Sequence, residues 1–588
     1  MRRVQVRRVQ VLSLKSCRAA ATLAVVAWAG AALAWPGAYP ARTVVAWGWD
    51  ISGTGPEELL EHADQIAASG VDGVGVRLWG RTPRGVYKPV LGNPVWNTED
   101  VLPRLDALRR LARTPGLSES LLFFGMCPAT RMSFSDDASW KRSADNLRDL
   151  ARIGAQAGLK GFMLDSEDYP LSSQYTFDPQ LDGCDYDAAY VLARKRGAEI
   201  FGALFSEHPK AVLLSFWFLT QDETYAAADD PKAAARAKGD LWPAFLNGLL
   251  DVLPPQARLV DGNEHTYWSE SYRRDYYQKA QLLRDLEGLV EPENRAKYAA
   301  QVEMGCAYYL DHYTNLRTKK RRADDPTAKL DVLEHFNRNL HQGARVSRQY
   351  LWLYGEKFCQ IPWKQSVKYL WGQMRFSEKL SRPDGGTWES QIPGLADMLN
   401  AVKNPEAYYN ALAADASREL VRNVACQPDV NGGLSAPYST FKDAKKCPNG
   451  TIFVDTTQGD GDSSCFGIRG INGKSGGILL DLPVKPCGIY RVALSAKGAA
   501  GTFACRVCWK KNKRYEWRLP QTRPVFSPPD EKTGWSRAVA FVCVPEEADM
   551  VTIQATGGDV GSEMVMSGSL AEDKIDVRFD NFSVIRVW

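Results

Sequence analysis

The stretch GFMLDSEDYP, residues 161–170, begins as a strand and ends in a group of acids. Its opening residues are small or apolar, and Asp165, Glu167 and Asp168 follow before a proline that stops further strand pairing. A helical pattern, SADNLRDLARIGAQAG at 143–158, comes directly before it. A helix, then a strand, then polar residues at the strand's end form the repeating unit of a parallel α/β fold.

The same unit recurs on both sides of this stretch. Segments with a helical pattern separate seven further strand-like segments. These are TVVAWGW (43–49), VDGVGVRLW (71–79), SLLFFGM (120–126), AVLLSFWF (211–218), ARLVDGN (257–263), EMGCAYYL (303–310) and RQYLWLYG (348–355). Eight strands alternating with helices over roughly 350 residues predict a (β/α)8 TIM barrel, which we place at 40–405. An open doubly wound sheet is the alternative, but no glycine-rich phosphate loop follows the first strand to support it.

The pattern changes near residue 420. The helical period disappears, and short strands alternate with Gly, Asp, Asn and Pro turns. Examples are GGILLDLPV (476–484), RAVAFVCVP (537–545) and DMVTIQATGG (549–558). This pattern predicts an all-β jelly-roll sandwich at 418–588.

The first 34 residues predict a secretory signal peptide. They carry six basic residues and no acid, and an apolar stretch at 19–34 ends in an A-x-A pattern. This stretch is too short for a comfortable membrane span, and an uncleaved anchor is the alternative. We therefore expect a secreted or periplasmic protein whose mature chain has no membrane span.

Removing this segment changes the charge balance. The full chain has 73 basic and 69 acidic residues, a formal charge of +4. Without the six basic residues of the leader, 67 basic residues face 69 acidic ones, a charge of −2. A near-neutral mature chain predicts no nucleic-acid or anionic-membrane partner.

Acids stand at several strand ends of the predicted barrel. Catalytic groups of such barrels lie at the carboxyl ends of the strands. Since side chains alternate along a strand, Asp165 and Glu167 share a side with Met163, and both face the mouth if Met163 points inward. Two adjacent carboxyls cannot ionise independently, so one pKa rises toward the range of a general acid. The predicted catalytic residues are Asp165, Glu167, Glu264 after strand six and Glu356 after strand eight.

Aromatic residues accompany these acids. The chain has 18 Trp and 23 Tyr, more flat side chains than a core needs, and such faces suit sugars. The predicted substrate-binding residues are Trp49, Trp79, Trp217, Tyr267, Trp268, Tyr354 and Asp311. Carboxylates ringed by indoles and phenols favour glycoside hydrolysis, in which one carboxyl protonates the leaving oxygen and another acts as nucleophile or base.

Parts of the predicted barrel sequence resemble two families of enzymes. Asp165-Ser166-Glu167 is similar to the strand-four D-x-E signature of chitinase-type and related hexosaminidase barrels, which implies that Glu167 is the proton donor and that Asp165 orients a substrate acetamido group. The pairing of acids after strands four and six also resembles galactosidase-type barrels. That likeness implies a strand-four Asp nucleophile and a strand-six proton donor. Both resemblances imply a glycoside hydrolase.

The C-terminal portion resembles carbohydrate-binding jelly rolls of the xylanase-associated type. The segments that carry the likeness are ELVRNVACQPDV (419–430), CGIYRVALSAKG (487–498) and VRFDNFSVIRVW (577–588). The resemblance implies a structural calcium held with the help of Asp580.

The sequence therefore predicts an exported glycoside hydrolase that acts on a poly- or oligosaccharide and requires no cofactor. In this interpretation Glu167 is the general acid, and Glu264 or Glu356 is the base or nucleophile. One alternative is a metal-assisted hydrolase or polysaccharide lyase, with an ion at His265 or His312 or with a Tyr or Lys base. The other is a surface carbohydrate-binding protein without catalysis.

Overall fold

The computed structural model describes most of the chain after residue 40. The described ranges are 41–48, 51, 55–78, 90–92, 102–167, 173–269, 273–313, 332–355, 388–421, 424, 426–462, 464–473, 475–486, 488–499, 501–519, 521–545, 547–558 and 574–587. The predicted signal peptide therefore lies outside the described residues. The described residues up to Asn404 form one compact unit, and those from Pro405 onward belong to a second.

A parallel sheet forms the centre of the first unit. Its strands are β1 (Thr43–Gly48), β2 (Gly73–Arg77), β3 (Leu121–Gly125), β4 (Gly161–Asp165), β5 (Val212–Ser215), β6 (Arg258–Asp261), β7 (Val302–Met304), β8 (Cys306–Tyr309) and β9 (Tyr350–Gly355). They are ordered β7-β6-β5-β4-β3-β2-β1-β9-β8, and every pair is parallel. The sheet is a nearly closed parallel barrel, which confirms the prediction of an α/β barrel at this level.

The predicted seventh strand is divided at Gly305. On one side of this glycine β7 pairs with β6, and on the other side β8 pairs with β9. The N–H of Gly305 donates to the carbonyl of Asp261 at 2.7 Å. A Cβ at this position would lie 3.0 Å from Cγ1 of Val260, so the close approach of the strands favours glycine. The sheet consequently has nine strands where the sequence predicts eight.

Helices flank these strands. They are α1 (Pro56–Glu61), α2 (Ala63–Ala68), α3 (Leu105–Arg113), α4 (Asp137–Ala157), α5 (Pro179–Asp182), α6 (Tyr186–Glu207), α7 (Pro231–Ala237), α8 (Trp242–Val252), α9 (Arg273–Asp285), α10 (Arg295–Gln301), α11 (Leu310–Tyr313), α12 (Val332–Val346), α13 (Trp388–Gln391), α14 (Leu395–Lys403) and, in the second unit, α15 (Pro405–Ala413). The helix before β4, α4, has clear signals at its start and its end, which made it predictable from the sequence. Asp136 accepts a hydrogen bond from the N–H of Ser139 at its start, and Gly158 adopts a left-handed φ of 76° at its end.

Alternate strand residues fill the inside of the barrel. Trp47 stacks on Phe123 with ring centroids 3.7 Å apart, and Phe216 stacks on Trp352 at 4.8 Å. Met163 of β4 is fully buried in the same cluster. Each such buried side chain contributes about 1.5–3 kcal/mol. Because Met163 points inward, the next residue on its side of the strand, Asp165, stands at the mouth.

The second unit is a sandwich of two antiparallel sheets. Its strands are β10 (Tyr438–Lys442), β11 (Thr451–Asp455), β12 (Cys465–Arg469), β13 (Gly476–Pro483), β14 (Ile489–Lys497), β15 (Phe503–Lys511), β16 (Arg514–Tyr515), β17 (Ser536–Cys543), β18 (Met550–Gly557) and β19 (Asp576–Arg586). One sheet is ordered β10-β13-β18-β15-β16 and the other β11-β12-β19-β14-β17. Alternate residues of both sheets meet in one core, for example Val507, Ile553 and Val492. The predicted β sandwich is present.

Two further features of the described chain concern its cysteines and the hydropathy of its helices. Six of its cysteines have free thiols, namely Cys184, Cys306, Cys426, Cys465, Cys505 and Cys508. None of its helices is both long enough and apolar enough to cross a membrane.

Candidate active site

The end of β4 carries two of the predicted carboxylates. Asp165 is the last residue of the strand, and its Oδ1 accepts a 3.0 Å hydrogen bond from the backbone N–H of Glu167. Ser166 between them is fully buried, and its Oγ accepts a hydrogen bond from the N–H of Trp217 at 3.3 Å. The chain therefore turns in a fixed way at this point, and Asp165 and Glu167 are both only half-buried.

The surroundings of Asp165 favour its protonated form. Burial raises the pKa of this carboxyl to about 7, and the charge of Glu167 acts in the same direction. The hydrogen bond from the N–H of Glu167 and the guanidinium of Arg77 lower that pKa. Arg77 is held by cation–π contacts, 4.9 Å from the ring centre of Phe123 and 5.2 Å from that of Trp47.

Glu264 reaches the same site from the loop after β6. It begins a 3-10 helix, Glu264–Trp268, directly after Asn263, which has a left-handed φ of 42°. Its backbone N–H donates to the carbonyl of Phe216 at 3.2 Å. Burial raises the pKa of Glu264 well above its usual value, and the charges of Glu167 and then Asp165 raise it further. The structure thus brings Asp165, Glu167 and Glu264 together.

One oxygen of Glu264 is enclosed without a partner. Its Oε2 is buried and makes no hydrogen bond within the described chain, and the same is true of the hydroxyl of Tyr267. The neighbouring phenol of Tyr267 acts to lower the pKa of Glu264, but less than burial and the two carboxylates raise it. A protonated carboxyl is the form of lowest cost in such a position.

A buried carboxylate anchors the loops that carry these groups. Asp261 ends β6 and is fully buried. It accepts hydrogen bonds from Oγ1 of Thr220 at 2.6 Å and from the N–H groups of Phe218 and Asn263 at 3.1 Å. Burial raises its pKa, and these hydrogen bonds oppose that rise. Asp261 therefore joins the loop after β5 to the loop that positions Glu264.

A cluster of phenols forms a wall beside Glu264. The Tyr267 ring stacks on Tyr354 with centroids 5.4 Å apart, and Tyr309 lies 5.2 Å from Tyr354. Burial raises the pKa of Tyr267 well above its usual value, and the charge of Glu264 adds to this effect. The phenol of Tyr267 therefore stays protonated near neutral pH. Tyr309 is not among the predicted site residues, although its position at the end of a strand is a signal.

Two of the predicted indoles border the site with different exposure. Trp217 is half-buried, and its ring lies 5.6 Å from that of His265. Trp268 is 48% exposed and meets Tyr309 and His312 edge-on at 5.8 and 5.5 Å. An exposed indole beside carboxylates is available to a flat apolar ligand face.

The remaining predicted residues are placed as follows. Asp311 is fully buried in the short helix α11 that follows β8. Trp49, Trp79 and Glu356 lie outside the described residues. Arg77, Ser166 and Asp261 support the site without having been predicted as part of it, because each acts on another residue through a contact that spans different strands.

The histidines of the metal alternative make ordinary protein contacts. Nε2 of His265 lies 3.1 Å from the carbonyl oxygen of Thr220, and the ring of His312 lies 6.0 Å from that of His335. Within the described ranges, no group of three or more His, Cys, Asp or Glu side chains is arranged to hold a metal ion.

Asp580 in the sandwich is engaged by backbone groups. Its two oxygens accept hydrogen bonds from the N–H groups of Asp460 and Asn581, both at 2.7 Å. Burial raises its pKa to about 6, and these hydrogen bonds oppose that rise. The calcium predicted at this residue stays a prediction, since the described chain offers no three-carboxylate set around it.

Comparisons with known proteins give weak similarities. No protein-family model matches the chain, and no curated protein does. A solved structure of the N-terminal CBM22-1–GH10 modules of endo-1,4-beta-D-xylanase 10B from Clostridium thermocellum, complexed with xylohexaose, is 14% identical with a TM-score of 0.20 and covers 29% of each chain. The enzymatically active domain of tailspike protein 4 from bacteriophage CBA120 is 10% identical with a TM-score of 0.21, covering 29% of this chain and 21% of the tailspike.

A third solved structure is matched over nearly its whole length. The CBM22-2 xylan-binding domain of Xyn10C from Paenibacillus barcinonensis is 14% identical with a TM-score of 0.21, covering 27% of this chain and 97% of that domain. The chain spans less than a third of the xylanase and tailspike structures. At these TM-scores the similarities carry no argument about function, which must come from the site itself.

Proposed function

We propose that this chain is an exported glycoside hydrolase that cleaves O-glycosidic bonds in a poly- or oligosaccharide. One observation supports this most strongly. Glu264 follows β6 and Glu167 follows β4, yet the pKa of Glu264 is raised first by burial and then by the charges of Glu167 and Asp165. A protonated carboxyl facing an ionised one is the pair that glycoside hydrolysis needs. We also regard β7 and β8 as one strand interrupted at Gly305, which makes the catalytic unit a (β/α)8 barrel.

In this proposal Glu264 is the general acid. Its proton passes to the glycosidic oxygen as the bond between that oxygen and the anomeric carbon breaks, and the leaving sugar departs as an alcohol. Glu167 is the ionised partner, which attacks the anomeric carbon or takes a proton from the attacking water. This distribution of roles reverses the one expected from the D-x-E pattern, because burial and the two neighbouring carboxyls act on Glu264 together.

Asp165 and Arg77 adjust the ionisation of the pair. Asp165 accepts the N–H of Glu167 and so fixes the turn that presents the Glu167 carboxylate. The guanidinium of Arg77 favours the charged form of Asp165. These two residues act on the catalytic groups through the protein, so we describe them as positioning residues.

The site is less suited to the two alternative functions. A lyase needs a deprotonated base, whereas the pKa of Tyr267 is raised well above its usual value. A binding protein has no need for buried carboxyls whose charges raise one another's pKa, because holding them together costs stability.

The experiment is a polysaccharide and aryl-glycoside panel assayed for new reducing ends. We expect the wild-type protein to cleave at least one member of the panel. Glu167→Gln and Glu264→Gln should each cleave that substrate about 100-fold more slowly or worse. The matched control is Glu303→Gln. Glu303 is another buried barrel carboxyl with a raised pKa, but its charged neighbours are Arg348, Arg258 and Arg42.

The product's anomeric configuration gives a second reading of the same assay. Retention corresponds to carboxyls about 5 Å apart, and inversion to about 6.5–9.5 Å. A panel on which both variants match wild type would show that these two carboxyls do not perform the chemistry.

A further inference from the structure

The edge of one sandwich sheet carries a concentration of positive charge. Residues 505–523, which we call the basic hairpin, hold seven basic residues and one acid, Glu516. They form β15, a tight turn and β16, followed by a segment that returns along β15 through the bridge between Val507 and Thr522. Asn512 and Lys513 both have positive φ, 50° and 65°, as a two-residue hairpin turn requires. These residues carry a formal charge of 7 − 1 = +6, whereas the full chain of 588 residues carries +4, so this charge is local.

Most of these cations lack a carboxylate partner. Lys510 is buried and forms a 2.6 Å ion pair with Asp481. By contrast, no described carboxylate lies within ion-pair distance of the exposed side chains of Lys511, Lys513, Arg514 or Arg518. Lys511 and Arg514 are direct cross-strand partners. Like charges placed opposite each other destabilise a hairpin, and an anionic ligand would remove that cost.

An aromatic pair follows the hairpin turn, on the same face as Lys510, whose Nζ lies 4.3 Å from the centre of the Tyr515 ring. The rings of Tyr515 and Trp517 stack at 4.5 Å with an angle of 15° between their planes. The guanidinium of Arg506 lies 5.5 Å from the Trp517 ring and is held by Oε1 of Gln554 at 3.0 Å. Trp517 nevertheless remains 57% exposed, a large apolar area left in water.

Strand alternation places this group on the outside of the sandwich. Val507 and Trp509 of β15 point into the core, so Arg506 and Lys510 point outward. On the neighbouring strand Ile553 points into the core, and Gln554 stands beside Arg506 on the outer face. The outer face of this sheet therefore combines fixed amide and guanidinium groups with an exposed indole, and the exposed cations Lys511, Lys513 and Arg514 lie at the adjoining hairpin turn.

We propose that the basic hairpin binds an anionic polysaccharide, one whose sugars carry carboxylate or sulfate groups. Sugar rings suit the aromatic pair, and their acidic groups suit the cations that the protein leaves unpaired. Naming this as the substrate class of the enzyme rests on the proposed glycoside hydrolase, but the binding site itself does not. A nucleic acid fits less well, because the positive charge is confined to one hairpin of a near-neutral chain.

The test measures binding by the full chain with Glu264→Gln in place, so that the probe is not cleaved. The probes are polygalacturonate and dextran sulfate, with neutral dextran and xylan as uncharged counterparts and duplex DNA as a second polyanion. We expect binding to one or both acidic glycans, weakened at least about tenfold from about 0.05 to about 0.5 M salt. The ratio of the two acidic probes tells whether carboxylate or sulfate is preferred.

Two variants and one control locate the site. Trp517→Ala should weaken acidic-glycan binding about tenfold, and Trp517→Tyr should restore most of it, because an aromatic ring is what the ligand contacts. Arg514→Gln with Arg518→Gln should weaken binding and reduce its salt dependence. The control is Lys445→Gln with Lys446→Gln, two exposed lysines elsewhere on the sandwich, which should change neither. Thermal unfolding checks that each variant is folded.

Three results would overturn the inference. These are equal binding to neutral dextran or xylan without salt dependence, equal or tighter binding to DNA that Trp517→Ala does not alter, and acidic-glycan binding that is unchanged in every hairpin variant. The proposed hydrolase function is tested separately from binding. If Glu264→Gln still cleaves glycans at the wild-type rate, the proposed catalytic role is wrong, whether or not the hairpin binds.

Discussion

Oδ1 of Asp165 accepts a 3.0 Å hydrogen bond from the backbone N–H of Glu167, two residues further along the chain. This contact fixes the turn at the end of β4 and sets two carboxyls side by side at the barrel mouth. The loop after β6 adds Glu264, whose pKa is raised by burial and by both of these acids. Three carboxyls from two loops therefore lie close together, and their charges add to the effect of burial in raising the pKa values of Asp165 and Glu264.

The role of Glu264 can be tested with leaving groups of different acidity. A general acid is needed for an alkoxide leaving group and is nearly dispensable for dinitrophenolate. Glu264→Gln should therefore lower kcat/KM by about 100- to 10,000-fold for an oligosaccharide but only a few-fold for a dinitrophenyl glycoside. Glu303→Gln should be close to wild type on both. An equal loss on both substrates would assign Glu264 a role other than proton donation.

The raised pKa of Asp165 makes barrel stability depend on pH. The folded chain holds this proton up to a pKa of about 7, whereas the usual value is 3.8. The stabilisation is complete below the unfolded value and is lost as pH rises through about 7. Asp165→Asn carries no such charge, so its stability relative to wild type should rise by about 1–3 kcal/mol between pH 4 and pH 8.

Denaturant unfolding of the barrel transition at several pH values measures this difference. Asn keeps an oxygen that accepts the N–H of Glu167, so the turn is retained. Asp106→Asn, on an exposed part of α3, serves as the control substitution. A stability difference for Asp165→Asn that stays constant with pH would show that its carboxyl is ionised throughout.

The anchoring role of Asp261 predicts a coupled loss of stability and activity. Replacement by Ala leaves the hydroxyl of Thr220 and the N–H groups of Phe218 and Asn263 buried without their acceptor. We expect Asp261→Ala to cost about 3 kcal/mol or more, since each orphaned group costs about 1–3 kcal/mol. Thr220→Val removes only the 2.6 Å bond and should cost about 1–2 kcal/mol.

Urea denaturation together with activity at low temperature separates these effects. If Asp261 positions Glu264, activity should remain low in Asp261→Ala even where the protein is folded. An Asp261→Ala protein that is folded and fully active would contradict the link between this anchor and the Glu264 loop.

Close packing of α6 against α8 depends on particular glycines. A Cβ at Gly197 would lie 1.9 Å from the carbonyl oxygen of Phe245, whereas a Cβ at Gly202 would come no closer than 3.9 Å to Val252. Gly197→Ala should therefore destabilise the barrel by about 3 kcal/mol, because backbone must move. Gly202→Ala, in the same helix, should be neutral or stabilising by up to about 1 kcal/mol. Equal effects in thermal unfolding would contradict this packing.

Much of the fold could be predicted from local sequence pattern. The strand at 161–165 follows from an apolar run between a helix with a Gly stop and a cluster of acids. Its alternation also placed Met163 inside and Asp165 at the mouth. The break in the seventh strand could not be predicted, because glycine is favoured at 305 by its closeness to Val260 and Tyr350 of two other strands.

The site was predictable in part for the same reason. Asp165, Glu167 and Glu264 are strand-end acids, and their positions in the sequence are a signal by themselves. The anchoring of Asp261 by Thr220 depends on contacts between residues 41 positions apart, which no local pattern reveals. The net charge of the chain likewise concealed the basic hairpin, since a sum over 588 residues averages out a local excess.

Direct titration of the Glu264 carboxyl tests the central claim most closely. Carbon-13 labelled glutamate side chains can be followed by NMR across pH, with Glu264→Gln used to assign the resonance. We expect Glu264 to titrate well above its usual value in wild type and at a clearly lower pH in Glu167→Gln, because the neighbouring charge is gone. A Glu264 resonance that titrates near 4.5 in both proteins would contradict the proposed pairing of these two carboxyls.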